Sequence, residues 1–431
     1  MANPRQVARS GLDALLKAGA DKAQCVATFT EKHELNVELG EFTLLRTTFD
    51  ARVGLTAIKD NRRGSTSINK SDDESIDKAA GEVLAIAAAS DPDEAFDIAE
   101  SQPPAEFSSG SDSPDLDKMH SSMKHLIQQV KGKYPKLVIM QAIMDFTHSR
   151  SCFVNSNNVD FVTNKGVYNC TFLFSSRDED KVSSFNYTTF SLRDLERDLL
   201  ECGSLDILFK QSTEQIVTKP LEGKFVGDVI ITPDCMNDLL FFIERTLSDG
   251  PMISGTSIYK DKLGQQIANP MFTLHSRPVS DEICNGYFVT SDGYATQNST
   301  IIESGVLKSY LLSLYGARKT GLDRAVNMGG AYVVDPGDTS LDHMIKSVER
   351  GILLARFSGG YPSDNGDFSG VAKNSYLIEN GEIKYPISES MISGNFAEML
   401  KNIKAISKER IDYGFSILPW IQVSGITISG K

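Results

Sequence analysis

A chain of 431 residues with a hydrophobic content of 40% has material for roughly three cores at about 150 residues each, which excludes disorder along its whole length. A net charge of −13, from 44 Lys+Arg against 57 Asp+Glu, argues against broad attraction to nucleic-acid phosphates or anionic membranes. The longest apolar run, the seven residues Val83 to Ala89, falls far short of the roughly 20 that span a bilayer, so no membrane role is expected.

Val7, Leu12, Leu15 and Leu16 fit one face of a helix over residues 4–20, with Gly19 near its end. From Gln24 to Asn69 the pattern changes to alternation and β-branched residues, which predicts strands at 25–29, 35–39, 43–49 and 52–58 with turns at Gly40, Asp60-Asn61 and Gly64. Ser71 to Glu74 then opens a helix that runs through the Ala-rich stretch 76–89. Residues 1–90 thus read as a helix–meander–helix unit.

Residues 91–113 read as a linker. Between Ser90 and Asp117 nine acidic residues stand without a Lys or Arg, leaving only −4 for the rest of the chain. Pro92, Pro103, Pro104 and the Ser-rich tract at 108–113 complete the composition of a solvated strip, with residues 100–113 expected to be exposed and open to proteases.

The same order of elements recurs over residues 114–220. A helix is predicted at 114–131, strands at 137–147, 150–155, 159–163, 167–175 and 182–191, and helical patterning over 192–217, a possible structural repeat in element order and not in letters. Residues 221–431 read as a β-rich domain with helices near 234–247, 341–347 and 395–405 and a last strand at 421–428. The expected fold class is α+β: two N-terminal helix/antiparallel-meander units followed by a β-rich C-terminal domain.

Six cysteines (Cys25, Cys152, Cys170, Cys202, Cys235, Cys284) lie at least 18 positions apart with no C-x-x-C pair, and no apolar leader follows the first residues. They read as reduced, mostly buried thiols in a cytoplasmic protein. Phosphate-loop, dinucleotide-binding and G-x-S-x-G motifs are missing, which weakens the nucleotide-hydrolase, dehydrogenase and α/β-hydrolase readings. His120 and His125 lie about 140° apart on a helix and share no face. His33-Glu34 opens like H-E-x-x-H, yet position 37 is Val and the local alternation is that of a strand. The loop at 359–370 carries Gly359, Gly360, Asp364, Gly366 and Asp367; it does not meet calcium-loop spacing and reads as a turn-rich, possible peptide-contacting loop.

Several phrases of the C-terminal half occur in a characteristic order: Ile301 to Lys308, Asn-Gly-Asp-Phe-Ser at 365–369, Leu377 to Ile383 with Tyr385-Pro386 behind, Ile392-Ser393-Gly394-Asn395, and Val423 to Gly430. With Val53-Gly54-Leu55 in the first meander, they resemble the TldD/PmbA family of cytoplasmic metallopeptidases, once called modulators of DNA gyrase. In the TldD branch a helix carries H-E-x-x-x-H and a later cysteine adds a zinc ligand. The resemblance places Phe241, Phe242 and Thr246 where the first His, the Glu and the second His would stand, and no Cys follows Cys284. It therefore implies the PmbA (TldE) branch: no catalytic, cofactor or metal residue in this chain, and zinc in a TldD-like partner. The implied partners are that H-E-x-x-x-H subunit, or self as a homodimer, and unfolded peptide, with no nucleic acid and no membrane. The residues themselves read alike, since Leu239 to Ile243 looks like a core run. A self-sufficient hydrolase built on Glu244, His275 or Asp367 has no spacing that makes these groups converge.

Overall fold

The computed structural model describes residues 3–360 and 362–430. The fold is α+β, with two sheets.

The first sheet has eight strands among the described residues, with Arg62–Ile68, Glu41–Lys59, Lys22–Glu38, Leu137–Asn155 and Asp160–Asp178 side by side. The four short strands expected over 25–58 are two long ones, Lys22–Glu38 and Glu41–Lys59, paired antiparallel along their length. The chain reverses between them at Leu39 (φ 51°) and Gly40 (φ 82°), both left-handed, as a tight hairpin turn matched to the strand twist requires. Helices Pro4–Lys17 and Asp73–Ala89 cover this half, capped by the side chains of Asn3 and Asp72. Gly64 lets the second helix lie on the strand backbone, because a Cβ there would meet the Val83 carbonyl oxygen at 2.0 Å.

Helix Leu116–Lys133, capped by Asp115, covers the other half of the sheet. Its Met119, Met123, Leu126, Ile127 and Val130 recur at helical spacing and share a core with Ala142, Met144, Phe146 and Phe172 of the strands. The two helix–meander units are joined edge to edge, because Lys22–Glu38 pairs with Leu137–Asn155 from Gln24↔Asn155 to Glu38↔Gln141.

Residues 91–113, expected as a linker, belong to this architecture. Ala105–Ser109 is a strand running parallel to Phe161–Lys165, so the backbone groups on that side are bonded, with Glu106 and Ser108 exposed and the other three residues half-buried. The acidic residues before it are a clasp. Asp93 accepts from the Tyr315 hydroxyl (2.9 Å) and Lys319 (3.0 Å), Asp97 from Lys22 (2.5 Å) and Arg318, and Glu100 from the Tyr294 hydroxyl. Phe96 stacks on Tyr315 and Phe107 on Phe288. Local composition could not reveal this, since Lys22 lies 75 residues before Asp97, and Arg318 and Lys319 lie 221 and 226 residues after their partners.

The second sheet has thirteen strands among the described residues, and the strand Ile417–Ser429 lies inside it. It pairs antiparallel with Lys224–Ile231, Ser390–Asn395 and Ile403–Asp412, and parallel with Tyr332–Val334. Seven successive residues, Ile417 to Val423, are buried, as expected of a strand covered on both faces. The helix expected over 395–405 ends at Lys401 and the chain continues as strand Ile403–Asp412. Ile403 and Ile406 are buried there against the neighbouring strand, so tertiary pairing overrides the helical pattern.

Burial raises the Asp97 carboxyl, but the Lys22 hydrogen bond, the Ile98 amide and the Lys22 and Arg318 charges outweigh it and hold the group below the usual carboxylate range. Asp97→Asn is therefore expected to lower unfolding free energy by about 1–3 kcal/mol at neutral pH. A depressed carboxylate stabilises above its unfolded pKa and loses that contribution as pH falls through its folded value. The difference between wild type and Asp97→Asn, measured by urea titration at several pH values, should shrink below about pH 4. A constant difference down to acid pH would assign the effect to packing.

Candidate functional site

Helix Pro233–Leu247 starts at Thr232, whose hydroxyl accepts from the Cys235 amide, with proline at the first helical position. Its core face carries Cys235, Met236, Leu239, Leu240, Phe242, Ile243, Thr246 and Leu247, all buried. Phe241 corrects the expectation of a continuous core run, because its ring is 56% exposed. Five consecutive apolar residues cannot share one face of a 3.6-residue helix, and position 241 falls on the solvent stripe with Glu244 and Arg245.

Phe242 packs edge-to-face on Phe396 with ring centroids 4.7 Å apart. The Thr246 hydroxyl donates to the carbonyls of Phe242 (2.9 Å) and Ile243 (3.0 Å), so it is engaged inside its own helix. At the three positions that the resemblance assigns to zinc chemistry, this chain offers two rings and one engaged hydroxyl. They do not fit zinc, which takes imidazole, thiolate or carboxylate donors. Among the described residues no group of three or more His, Cys, Asp or Glu is placed to hold a metal ion.

The exposed stripe is buttressed. Glu244 accepts a short hydrogen bond from the Tyr332 hydroxyl. Burial, and then the Glu244 charge, push the Tyr332 phenol far above its usual range, which keeps it a neutral donor. Gly329 (φ 78°) lies against this pair, and a Cβ there would meet the Tyr332 oxygen at 2.8 Å. Its carbonyl accepts from the Tyr287 hydroxyl, which in turn accepts from the Met328 amide. Tyr287, Gly329 and Tyr332 escaped the sequence reading; the Gly329-Gly330 pair before an aromatic residue was the available signal.

Arg245 ties the helix to the glycine-rich loop. Its guanidinium donates to Asp364 (3.1 Å) and to the Pro362 carbonyl (3.2 Å), so the structure brings together the two segments singled out separately in the sequence. Gly359 and Gly360 have φ of 71° and 60°, and a Cβ on Gly360 would meet the Ser369 carbonyl oxygen at 1.6 Å. Gly366 (φ 88°) closes a turn in which its amide donates to the Ser363 carbonyl. The Asp367 carboxylate accepts from Asn365 (2.8 Å) and Asn395 (2.9 Å), while the Asn395 side chain also caps helix Phe396–Lys401. The acidic group of this loop thus holds its turns in place.

The remaining candidates lie apart, each with its own partners. His275 bonds to Thr300 (2.9 Å) and Asp335 (3.1 Å). His33 sits on strand Lys22–Glu38 beside Glu31 and Thr47, His120 meets the Phe42 ring at a tilt with centroids 4.5 Å apart, and His125 approaches Asp198. All six cysteines are free thiols, five of them buried. Burial pushes the Cys25 and Cys152 thiols up to about 12.

Two family descriptions match: the PmbA/TldA metallopeptidase C-terminal domain over residues 223–430 and PmbA/TldA metallopeptidase domain 1 over residues 25–87. The chain belongs to the PmbA/TldD family. This family member is 24% identical to the metalloprotease PmbA homologue of Haemophilus influenzae, over 98% of this chain and 96% of that one. It is also 24% identical to the metalloprotease PmbA of Escherichia coli O157:H7, over 95% and 94% of the two chains. The crystal structure of TldE from Thermococcus kodakarensis shares the fold, with a TM-score of 0.82 at 20% identity over 97% of this chain and 99% of that one.

The substitutions Phe241→His, Phe242→Glu and Thr246→His, made together, are expected to give no zinc-dependent peptidase. Residues five apart diverge by about 140° on a regular helix, and two imidazoles leave zinc one protein ligand short of the usual catalytic three. The stability cost should fall unevenly. Phe241→His alone should stay within about 0.5 kcal/mol of wild type, as an exposed change does, whereas Phe242→Glu buries a carboxylate against Phe396 and should cost at least about 3–5 kcal/mol. Thermal melts of the single variants test the ordering; equal losses at 241 and 242 would contradict the placement of the solvent stripe.

Proposed function

We propose that this chain is the subunit without zinc of a cytoplasmic metallopeptidase complex that degrades or matures unfolded peptides. The observation that carries the reading is the helix Pro233–Leu247, which presents Phe241, Phe242 and Thr246 where the resemblance calls for two imidazoles and a carboxylate. Zinc and the general base that activates water then belong to a TldD-like partner bearing H-E-x-x-x-H. The metalloprotease names of the relatives, together with family membership over both matched regions, support a peptidase setting.

The contribution of this chain is a wall. Phe241 offers an apolar ring, Glu244 a carboxylate oriented by Tyr332, and Arg245 a guanidinium that fixes the loop carrying Gly359, Gly360, Asp364, Gly366 and Asp367 beside it. Such a surface can line a chamber for extended peptide without cleaving it. A second reading, a stand-alone peptide-binding or scaffold homodimer, is favoured by one observation: among the described residues no strand lies on the outer side of Glu41 to Arg52, because Arg62–Ile68 pairs only with Val53 to Lys59.

Purification of the chain alone and with an H-E-x-x-x-H homologue from the same cells, followed by metal analysis and peptide cleavage, tests the proposal. The expected result is zinc far below one per chain and no cleavage for the chain alone, with zinc and cleavage in the pair. One zinc per isolated chain, lost together with activity on chelation, would overturn the non-catalytic assignment. A homologue whose activity ignores this chain would overturn the subunit assignment.

A further inference from the structure

Alternate residues of strand Lys22–Glu38 point to the helix-bearing face of the N-terminal sheet. Cys25 and Ala27 lie in the core under helices Pro4–Lys17 and Asp73–Ala89, and Leu35 and Val37 lie in the core under helix Leu116–Lys133. Between the two cores Phe29, Glu31 and His33 are only half-buried. A cavity of about 480 Å³ opens there, lined by two cross-strand rows, Phe49–Glu31–His148 and Ala51–Phe29–Arg150. Glu31 turns along its own strand to accept from His33 at 2.8 Å, and its carboxylate keeps lone pairs for a further donor. Arg150, two residues beyond His148 and so diagonal to Glu31, brings a guanidinium with five N–H donors. His148 is engaged with Asn164 at 2.7 Å. Phe29 and Phe49 supply rings, and the Phe49 ring is 63% exposed. The volume is that of a small-molecule site, in which apolar walls surround a few placed polar groups.

We infer that this cavity binds a dipeptide with free termini and an apolar side chain, its ammonium at Glu31, its carboxylate at Arg150 and its side chain against Phe49. Diagonal neighbours in an antiparallel pair stand about 7–8 Å apart. A dipeptide, with two Cα atoms about 3.8 Å apart and a charged group beyond each, bridges that separation. A ligand of one sign only would set a like charge beside either Glu31 or Arg150, which is unfavourable at short range. An internal stretch of a longer chain has no charged end to offer either group. A ligand of both signs, with an apolar body for the rings, satisfies the whole lining. The choice of a dipeptide among such zwitterions rests on the peptidase setting proposed above, in which short fragments are the products; the need for both charges comes from the cavity itself. The cavity belongs to the N-terminal sheet and shares no residue with helix Pro233–Leu247.

Calorimetry of the full chain with the dipeptide Leu-Phe should show one site per chain. Acetylating the amino group of the dipeptide, or amidating its carboxylate, should each weaken binding at least about tenfold, the loss of one charge-assisted contact. Glu31→Gln should bind the acetylated and free forms alike, and Arg150→Gln the amidated and free forms alike. Phe49→Ala should weaken all three, and every variant should keep the circular dichroism spectrum of the wild type. No binding of Leu-Phe at about 1 mM, wild-type binding indifferent to both end groups, or binding lost in Phe241→Ala but kept in the Glu31 and Arg150 variants would each overturn the inference. Zinc or peptide cleavage in the isolated chain would overturn the subunit reading alone, because the end-group ratios do not depend on it.

Discussion

The C-terminal domain hangs on one strand, Ile417–Ser429, which hydrogen-bonds to four other strands and is buried along its first seven residues. A strand in that position must satisfy every amide internally, and the two residues that strain the requirement sit where the register shifts. Pro419, which has no amide hydrogen, lies beside the irregularity opposite Ile406 to Arg410. Gly425, at φ 82°, lies between Val423 and Ile426, where the pairing with Lys224–Ile231 skips. Because Lys224–Ile231 leads through Thr232 directly into helix Pro233–Leu247, the last strand also fixes where the candidate site begins.

That helix engages the residues at 242 and 246 in packing and in its own backbone. Phe242 meets Phe396, and the Thr246 hydroxyl turns back on its own helix. The polar groups on the outer stripe are directed by neighbours, Glu244 by Tyr332 and Arg245 by Asp364. The helix therefore acts as a strut between the core and the glycine-rich loop.

Local signals carried the sequence reading as far as local physics decides structure. Capped helices such as Asp73–Ala89 and Leu116–Lys133, and the turn at Gly40, were legible because side-chain caps and left-handed backbone leave their mark within a few residues. The union of two meanders into one sheet was not, since the pairing of Lys22–Glu38 with Leu137–Asn155 joins segments more than 100 residues apart. The acidic strip looked solvated because its cationic partners, Arg318 and Lys319, lie far along the chain. Phe241 was misread as core for a simpler reason: a run of apolar letters hides which face each residue occupies. At the candidate site the residue types at 241, 242 and 246 could be read from the letters, but the Arg245–Asp364 tie and the Tyr332 support could not.

The clasp between the acidic segment and the C-terminal domain has a further consequence, which concerns salt. Its contacts are of two kinds: charged pairs such as Asp93–Lys319 and Asp97–Arg318, and the stacked rings of Phe96 on Tyr315 and Phe107 on Phe288. Partly exposed charges are screened once the Debye length contracts to about 3 Å near 1 M salt. Ring stacking and buried aliphatic cores are instead strengthened by strongly excluded anions such as sulfate. Chloride and sulfate at equal ionic strength therefore act on different parts of this molecule: both weaken the charged half of the clasp, and only sulfate offsets that loss by tightening its aromatic half and the cores on either side.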